Sequence, residues 1–350
     1  MNRDEIIQKL SFSDEKSLAG LYGQAYRVKT ETVGRTVYFR GLIEMSNVCV
    51  KNCYYCGIRK DNAGVTRFTL DSGEIIASAL WAYEAGYGSV VLQSGERASE
   101  EFIRSVELVL AEIKSKTEGK LAVTLSLGEQ TEETYGRWLA AGAARYLLRI
   151  ETSNPALYAR LHPKDHSFDT RLNCLKTLRK LGYQTGTGVM TGLPFQTVED
   201  LANDIIFFRD MDIDMIGMGP YIPHAQTPLA AGAAPAMRPH SLEMGLKMIA
   251  VARLVLPDIN IAATTALQAL SPAGRELGLK AGANVIMPNI TDTKYRAYYQ
   301  LYDGKPCLDE NAGMCRDCLE QRIKSLGEEI AYFNPGTPLH YTARLARNPQ

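Results

Sequence analysis

The sequence predicts an α/β protein whose chain closes into a complete (β/α)8 TIM barrel with short N- and C-terminal extensions. From residue 37 to residue 287, short β-branched runs alternate with segments of helical period, as in βα units built on a parallel sheet. Eight such units can be counted, which favours a closed barrel over an open doubly wound sheet. A chain of 350 residues with 45% hydrophobic content fits one such barrel and can bury its core.

Taken in order, residues 1–35 read as one or two short polar helices, with Ser13-Asp-Glu-Lys a candidate N-cap, and form an N-terminal helical cap. Strand one is Val37–Met45, followed by a helix over Asp71–Ala85; strand two is Ser89–Gln93, followed by Ser99–Lys114. Strand three is Leu121–Ser126 with the helix Thr131–Ala141, and strand four Arg145–Ile150 with helical turns at Asn154–His162 and Phe168–Leu181. Strand five, Gln184–Met190, precedes the helix Val198–Met211, and strand six is Met215–Gly219. The helix Ser241–Leu256 leads to strand seven, Asn260–Thr265, and Gly274–Ala281 to strand eight, Asn284–Met287. Gly86, Gly142 and Gly282 each follow an alanine at a helix end and read as stops. The barrel is expected over 36–305, and 306–350 form a C-terminal extension with an accessory cysteine site.

Composition excludes some function classes. Lys+Arg 39 against Asp+Glu 39 leaves no net charge, so there is no electrostatic case for nucleic acid or an anionic membrane as partner. The first ten residues alternate charged and apolar side chains and lack the apolar core of a signal peptide, and no run is long and apolar enough to span a bilayer. A cytoplasmic protein is expected. The seven cysteines, grouped as 49/53/56, 174 and 307/315/318, do not form the even framework of a secreted disulfide protein; reduced thiols holding metal fit better.

The chemistry concentrates in Cys49-Val-Lys-Asn-Cys53-Tyr-Tyr-Cys56, directly after strand one. Three thiolates this close suit a soft metal, and a four-iron cube would lack a local fourth cysteine, leaving one iron open to a small molecule. A structural zinc knuckle is the plainer alternative, but the nearest downstream Cys is Cys174 and the nearest His is His162. Other candidates lie at strand ends, where a barrel carries its active site. They are Gln93-Ser94-Gly95-Glu96, then Thr124, Ser126 and Glu129, then Arg149 and Glu151, with Arg171 beyond. Gly186, Gly188 and Gly192 mark close backbone approach; a phosphate loop is excluded because no Gly-Lys-Ser/Thr follows. Thr264-Thr265 ends strand seven, and Tyr295, Arg296, Tyr298 and Tyr299 form an aromatic and cationic lid for an anionic ligand. Cys307-x7-Cys315-x2-Cys318 is a second iron–sulfur site, with zinc or free thiols as the alternatives.

The C-x3-C-x-aromatic-C spacing resembles the signature of the radical S-adenosylmethionine (SAM) enzymes, and the fold is then the barrel of that type. The resemblance implies a [4Fe-4S] cluster on the catalytic cysteines Cys49, Cys53 and Cys56, with SAM on the fourth iron and Tyr55 near its adenine. It also implies SAM contacts from Ser94, Gly95, Glu96, Glu151, Arg171, Met190 and Met287. Across nearly the whole chain, runs such as Val91-Leu-Gln-Ser-Gly-Glu96, Val123–Glu129, Pro220-Tyr-Ile-Pro-His224 and Gly282–Asn289 are similar to a family of [FeFe]-hydrogenase maturases. That resemblance implies a substrate and anion pocket of Arg40, Gln93, Ser94, Thr124, Arg145, Arg149, Thr264, Thr265 and Tyr299. It further implies a dispensable second cluster, [2Fe-2S] or [4Fe-4S], at Cys307, Cys315 and Cys318. The implied reaction cleaves SAM reductively to a 5′-deoxyadenosyl radical that acts on a small cysteine-bound Fe(CO)2(CN) precursor. The implied partners are an electron donor such as ferredoxin or flavodoxin, and other maturases. Biotin synthase and methylornithine synthase share the barrel and the first cluster and remain rivals, as does a non-enzyme: an iron–sulfur carrier or zinc scaffold.

Overall fold

The computed structural model describes residues 1–232 and 238–347. Among them the strands are β1 (Thr36–Ser46), β2 (Ser89–Ser94), β3 (Ala122–Ser126), β4 (Ala143–Leu147), β5 (Gln184–Thr187), β6 (Met190–Thr191), β7 (Met215–Ile216), β8 (Gly219–Pro220), β9 (Asn260–Ile261), β10 (Val285–Ile286) and β11 (Glu329–Ile330). Their main sheet runs β10-β1-β2-β3-β4-β5-β7-β9 with β11 added on β1, every pairing parallel. The two ends of that order meet at a parallel bridge between Ala262 and Val285, where the Ala263 N–H donates to the Val285 carbonyl at 2.9 Å.

Several predicted strands are shorter than expected, each for a local reason. Strand four starts and stops earlier, at Ala143–Leu147, and Glu151 beyond it adopts the left-handed conformation with φ 66°. Strands five and six each break in two, and the later halves pair separately as β6 and β8. At the break the backbones nearly touch: a Cβ on Gly188 would lie 2.1 Å from the Gly217 carbonyl oxygen, so only glycine fits. Strand seven stops at Ile261 because Thr264 becomes the residue preceding the helix Thr265–Leu270. The N-terminal segment forms two helices, Arg3–Leu10 and Glu15–Thr32, the second capped by Asp14 rather than Ser13. Both pack into the main core through Ile6, Leu10, Leu21 and Ala25.

Alternation along the strands sorts side chains between core and lumen. Val90, Leu92, Val123 and Leu125 join helix residues such as Val106, Leu110 and Trp138 in the outer core, where each fully buried large apolar side chain contributes about 1.5–3 kcal/mol. Arg40, Val91 and Thr124 line the lumen instead. On β1, residues 40, 42 and 44 face inward and climb from the N-terminal end of the barrel to the C-terminal end. The N-terminal end is closed by the segment 331–336. Its Gly336 carbonyl accepts from Asn260 Nδ2 at 2.7 Å and Arg40 Nη2 at 3.3 Å, and its Pro335 carbonyl accepts from Arg145 Nη2 at 2.8 Å. Among the described residues no helix is long and apolar enough to cross a membrane.

Candidate active site

The opposite end, at the C-terminal ends of the strands, opens into a cavity of about 330 Å³. Cys49, Cys53 and Cys56 all border it, as do Tyr55, Ser94, Gly95, Glu96, Glu151, Arg171, Met190 and Met287. Of the residues expected to bind substrate, Gln93, Arg149, Thr264, Thr265 and Tyr299 border the same cavity. The others do not. Arg40 and Thr124 line a smaller chamber beneath it, and Arg145 lies at the barrel floor, bound to Gln184 Oε1 at 2.8 Å and to the Pro335 carbonyl. The depth follows from register, because Arg145 pairs with the first residue of β5 whereas Arg149 lies beyond the end of β4.

Neighbouring side chains hold the cysteine loop in shape. Arg67 donates to the carbonyls of Asn47 (2.6 Å), Ile58 (2.8 Å) and Arg59 (2.7 Å), and the Asn52 N–H donates to His166 Nε2 at 2.9 Å. A Cβ on Gly95 would lie 2.4 Å from the Val48 carbonyl oxygen and 2.7 Å from Cys49 Cβ, so this glycine is what lets the strand-two turn pass under the loop. Two backbone amides, of Lys51 (3.4 Å) and Glu96 (3.3 Å), point at Cys49 Sγ. Burial pushes all three thiols up, Cys53 to about 12.

A charged network flanks the loop. Glu129 accepts from Lys51 Nζ and from Arg171 Nε, each at 2.6 Å, and its own N–H donates to Glu96 Oε2 at 2.8 Å. Burial raises the Glu129 carboxyl, but Arg171 and Lys51 outweigh it and hold the group below the usual carboxylate range. Glu96 goes the other way, raised by burial and by the adjacent Glu129. Glu129 is one of the strand-end candidates, but its partner Lys51 was not assigned from the sequence; the signal was there, since Lys51 sits between the first two cysteines. Lys305, tied to Glu44 at 2.5 Å, was missed as well, because nothing local in the sequence joins residues 261 positions apart.

Across the cavity the side chains are under-satisfied. Arg149 Nη2 lies 3.0 Å from Glu151 Oε2 without an aligned hydrogen bond, and these two atoms and Thr264 Oγ1 have no hydrogen-bond partner among the described residues. Buried polar atoms left without partners are costly, which marks this wall as one built around a polar guest. Beside it Tyr55 joins Leu157, Leu161, Met190, Leu193 and Tyr221 in a separate apolar cluster, a surface suited to a flat aromatic group. Three thiols without a fourth, an apolar shelf and unsatisfied polar groups fit a [4Fe-4S] cluster with an organic ligand on its open iron. His224 takes no part, since its Nε2 faces Asp303 Oδ1 at 3.8 Å.

The C-terminal cysteines do not border this cavity. Cys307 and Cys315 come together with Glu310, while Cys318 is exposed and outside the group.

Residues 43–208 match the model of the radical SAM superfamily. The chain is 45% identical over 327 residues to the [FeFe] hydrogenase maturase subunit HydE of Thermotoga maritima, covering 93% of this chain and 91% of that protein. It is 30% identical to the 3-methylornithine synthase of Methanosarcina barkeri over 79% of this chain and 76% of the other. A crystal structure of methylornithine synthase superposes with a TM-score of 0.82 at 24% identity, covering 95% of this chain and 94% of that one, which shows the shared fold. By the extent and level of these matches, the chain belongs to the family of the [FeFe]-hydrogenase maturase subunit HydE, within the radical SAM superfamily.

Proposed function

We propose that the protein is a radical SAM enzyme of [FeFe]-hydrogenase maturation, acting on a small cysteine-bound Fe(CO)2(CN) precursor of the hydrogenase active-site cluster. The carrying observation is the meeting of Cys49, Cys53 and Cys56 with Gly95, Glu96, Glu151 and Arg171 in one cavity, in a chain 45% identical to a maturase. Cys49, Cys53 and Cys56 would hold the cluster, and the apolar shelf with Tyr55 and Met190 would receive the adenosine part of SAM. The chemistry supplied by a bound [4Fe-4S] cluster and SAM is one-electron cleavage of the sulfonium to methionine and a 5′-deoxyadenosyl radical.

The protein's own groups bind and orient. Glu129, ionised between Lys51 and Arg171, fixes both cations against the cysteine loop. Arg149, ion-paired through Nη2 with Glu151 Oε2 at 3.0 Å, borders the cavity and clamps an amino-acid carboxylate, with Thr264 as a further contact. We read the sheet as a complete (β/α)8 barrel over 36–305, with 1–35 as a helical cap and 306–350 as an extension carrying a second metal centre. The Ala262–Val285 bridge supports the closure. Ferredoxin or flavodoxin as electron donor, other maturases as partners and a cytoplasmic setting belong to the same proposal.

The test is anaerobic reconstitution with iron and sulfide, then SAM and dithionite. The reading requires 5′-deoxyadenosine from the full chain and none from Cys53→Ala; a full chain that loads iron yet forms no 5′-deoxyadenosine rejects it in favour of an iron–sulfur carrier. Conversion of lysine to methylornithine by the same preparation would move the substrate to the relatives at 30% identity.

A further inference from the structure

The helix Pro155–Leu161 and the residue that ends it, His162, send two pairs of side chains toward the cysteine loop. Leu157 and Leu161, one turn apart, lie in the apolar cluster with Tyr55. Tyr158 and His162, also one turn apart, stack with ring centroids 3.9 Å apart and planes inclined by 21°. His162 is 2% exposed, and burial pushes its pKa down to about 3, so the ring is neutral and carries one proton. Its Nδ1 lies 2.9 Å from the Tyr158 carbonyl oxygen, an acceptor without a proton, which places that proton on Nδ1 and satisfies a carbonyl of the last helical turn. Nε2 is then a bare acceptor. The Tyr55 hydroxyl lies 3.4 Å from it, and the Tyr55 and His162 rings meet edge to face, with centroids 5.5 Å apart at 90°.

We propose that His162 is a positioning residue for the adenine of SAM, acting through Tyr55: its Nε2 accepts the Tyr55 hydroxyl proton and fixes the tilt of that ring on the apolar shelf. Closing the helix end occupies Nδ1 alone, and Nε2 faces Tyr55. A tyrosine in an apolar cluster needs a partner for its hydroxyl, and His162 is the one that costs the shelf no charge. The backbone around Tyr55 has separate supports. The Tyr54 N–H donates to the Leu161 carbonyl at 2.9 Å, the Leu229 N–H donates to the Tyr54 carbonyl at 3.0 Å, and the Asn52 N–H donates to His166 Nε2. The path of the loop is therefore held by Leu161, His166 and Leu229, while the His162 imidazole acts on the Tyr55 side chain.

This inference rests on the reading of the cavity as the SAM site, and the experiment separates the two failures. The full chain and its variants are reconstituted anaerobically with iron and sulfide, and SAM binding is measured by equilibrium dialysis. An unsubstituted chain that loads iron and binds no SAM overturns the site reading, and this inference with it. Given SAM binding, His162→Phe keeps an aromatic ring on Tyr158 and removes the acceptor, and the dissociation constant for SAM is expected to rise about fivefold, within the range of one lost hydrogen bond. Tyr55→Phe removes the donor and is expected to cost about as much, and the double variant no more than either single one, because both delete the same contact. Iron content stays that of the unsubstituted chain, and methionine, which has no adenine, competes with SAM in the single variants at an unchanged inhibition constant. SAM affinity unaltered in His162→Phe overturns the proposal. So do losses that multiply in the double variant, which would place the effect of His162 outside Tyr55, and loss of iron or of methionine binding in His162→Phe, which would make the imidazole a support of the loop.

Discussion

The two ends of the barrel use the same residue type to opposite purpose. Arg145 and Arg149 stand four positions apart on one strand and its extension, a spacing that returns a strand residue to the same face. At the floor, Arg145 is fully buried and spends two of its nitrogens on Gln184 and the Pro335 carbonyl. At the mouth, Arg149 is a third exposed and keeps two nitrogens without hydrogen-bond partners among the described residues. The floor is closed by the chain's own segment 331–336, and the mouth opens into the cavity bordered by Cys49, Cys53 and Cys56. Fixed hydrogen-bond partners make a guanidinium structural, and their lack leaves it available to a ligand.

The largest expected effect breaks the floor. Arg145→Ala strands Gln184 and the Pro335 carbonyl and opens a hole, and is expected to cost about 3 kcal/mol of stability. Thermal unfolding reads it, and SAM cleavage by the protein that remains folded is expected to stay within about twofold. Next comes the mouth: Arg149→Ala is expected to lower turnover of the maturation substrate about 100-fold, as loss of an orienting charge does, while stability shifts by less than about 0.5 kcal/mol. If Arg149→Ala unfolds the protein and Arg145→Ala only slows turnover, the comparison is reversed. Smaller still is Glu129→Gln, which weakens the hold on Lys51 and Arg171; SAM affinity by equilibrium dialysis is expected to fall about tenfold, with iron content preserved.

The smallest effect is a pH dependence on the floor side. His340, in the helix Leu339–Arg347, sits between Asp258 and Asp212, whose hydrogen bonds raise its pKa above 6.5. A raised folded pKa means the stabilisation is complete below the unfolded value and is lost as pH rises through the folded one. Stability is therefore expected to decline slightly above neutral pH, a slope that His340→Gln removes; a slope unchanged in that variant assigns it elsewhere.

Much of this was legible from the sequence because it is local. Helix starts follow capping side chains the chain displays openly: Asp71, Ser99, Thr131, Ser167 and Thr197 each accept from a backbone amide two or three residues on. The cysteine spacing and Gly95 were equally readable, since one loop and one turn contain them. What the sequence hid is depth and distance. Arg40, Arg145 and Arg149 look alike in a string, and only strand register places the first two low and the third high. The floor segment 331–336 has no pattern of its own, because its role consists of carbonyls that accept from residues up to 296 positions away. Cys318 follows Cys315 on the same helix yet is exposed where Cys315 is buried, and spacing on a helix does not report exposure.

The most direct test of the mouth as the reacting end is electron paramagnetic resonance of the reconstituted, dithionite-reduced protein with and without SAM. The account predicts a four-iron signal that changes on adding SAM in the unsubstituted chain and in Arg145→Ala, and that is absent in Cys53→Ala. A cluster signal indifferent to SAM would contradict it, because no iron would then be open to the cavity.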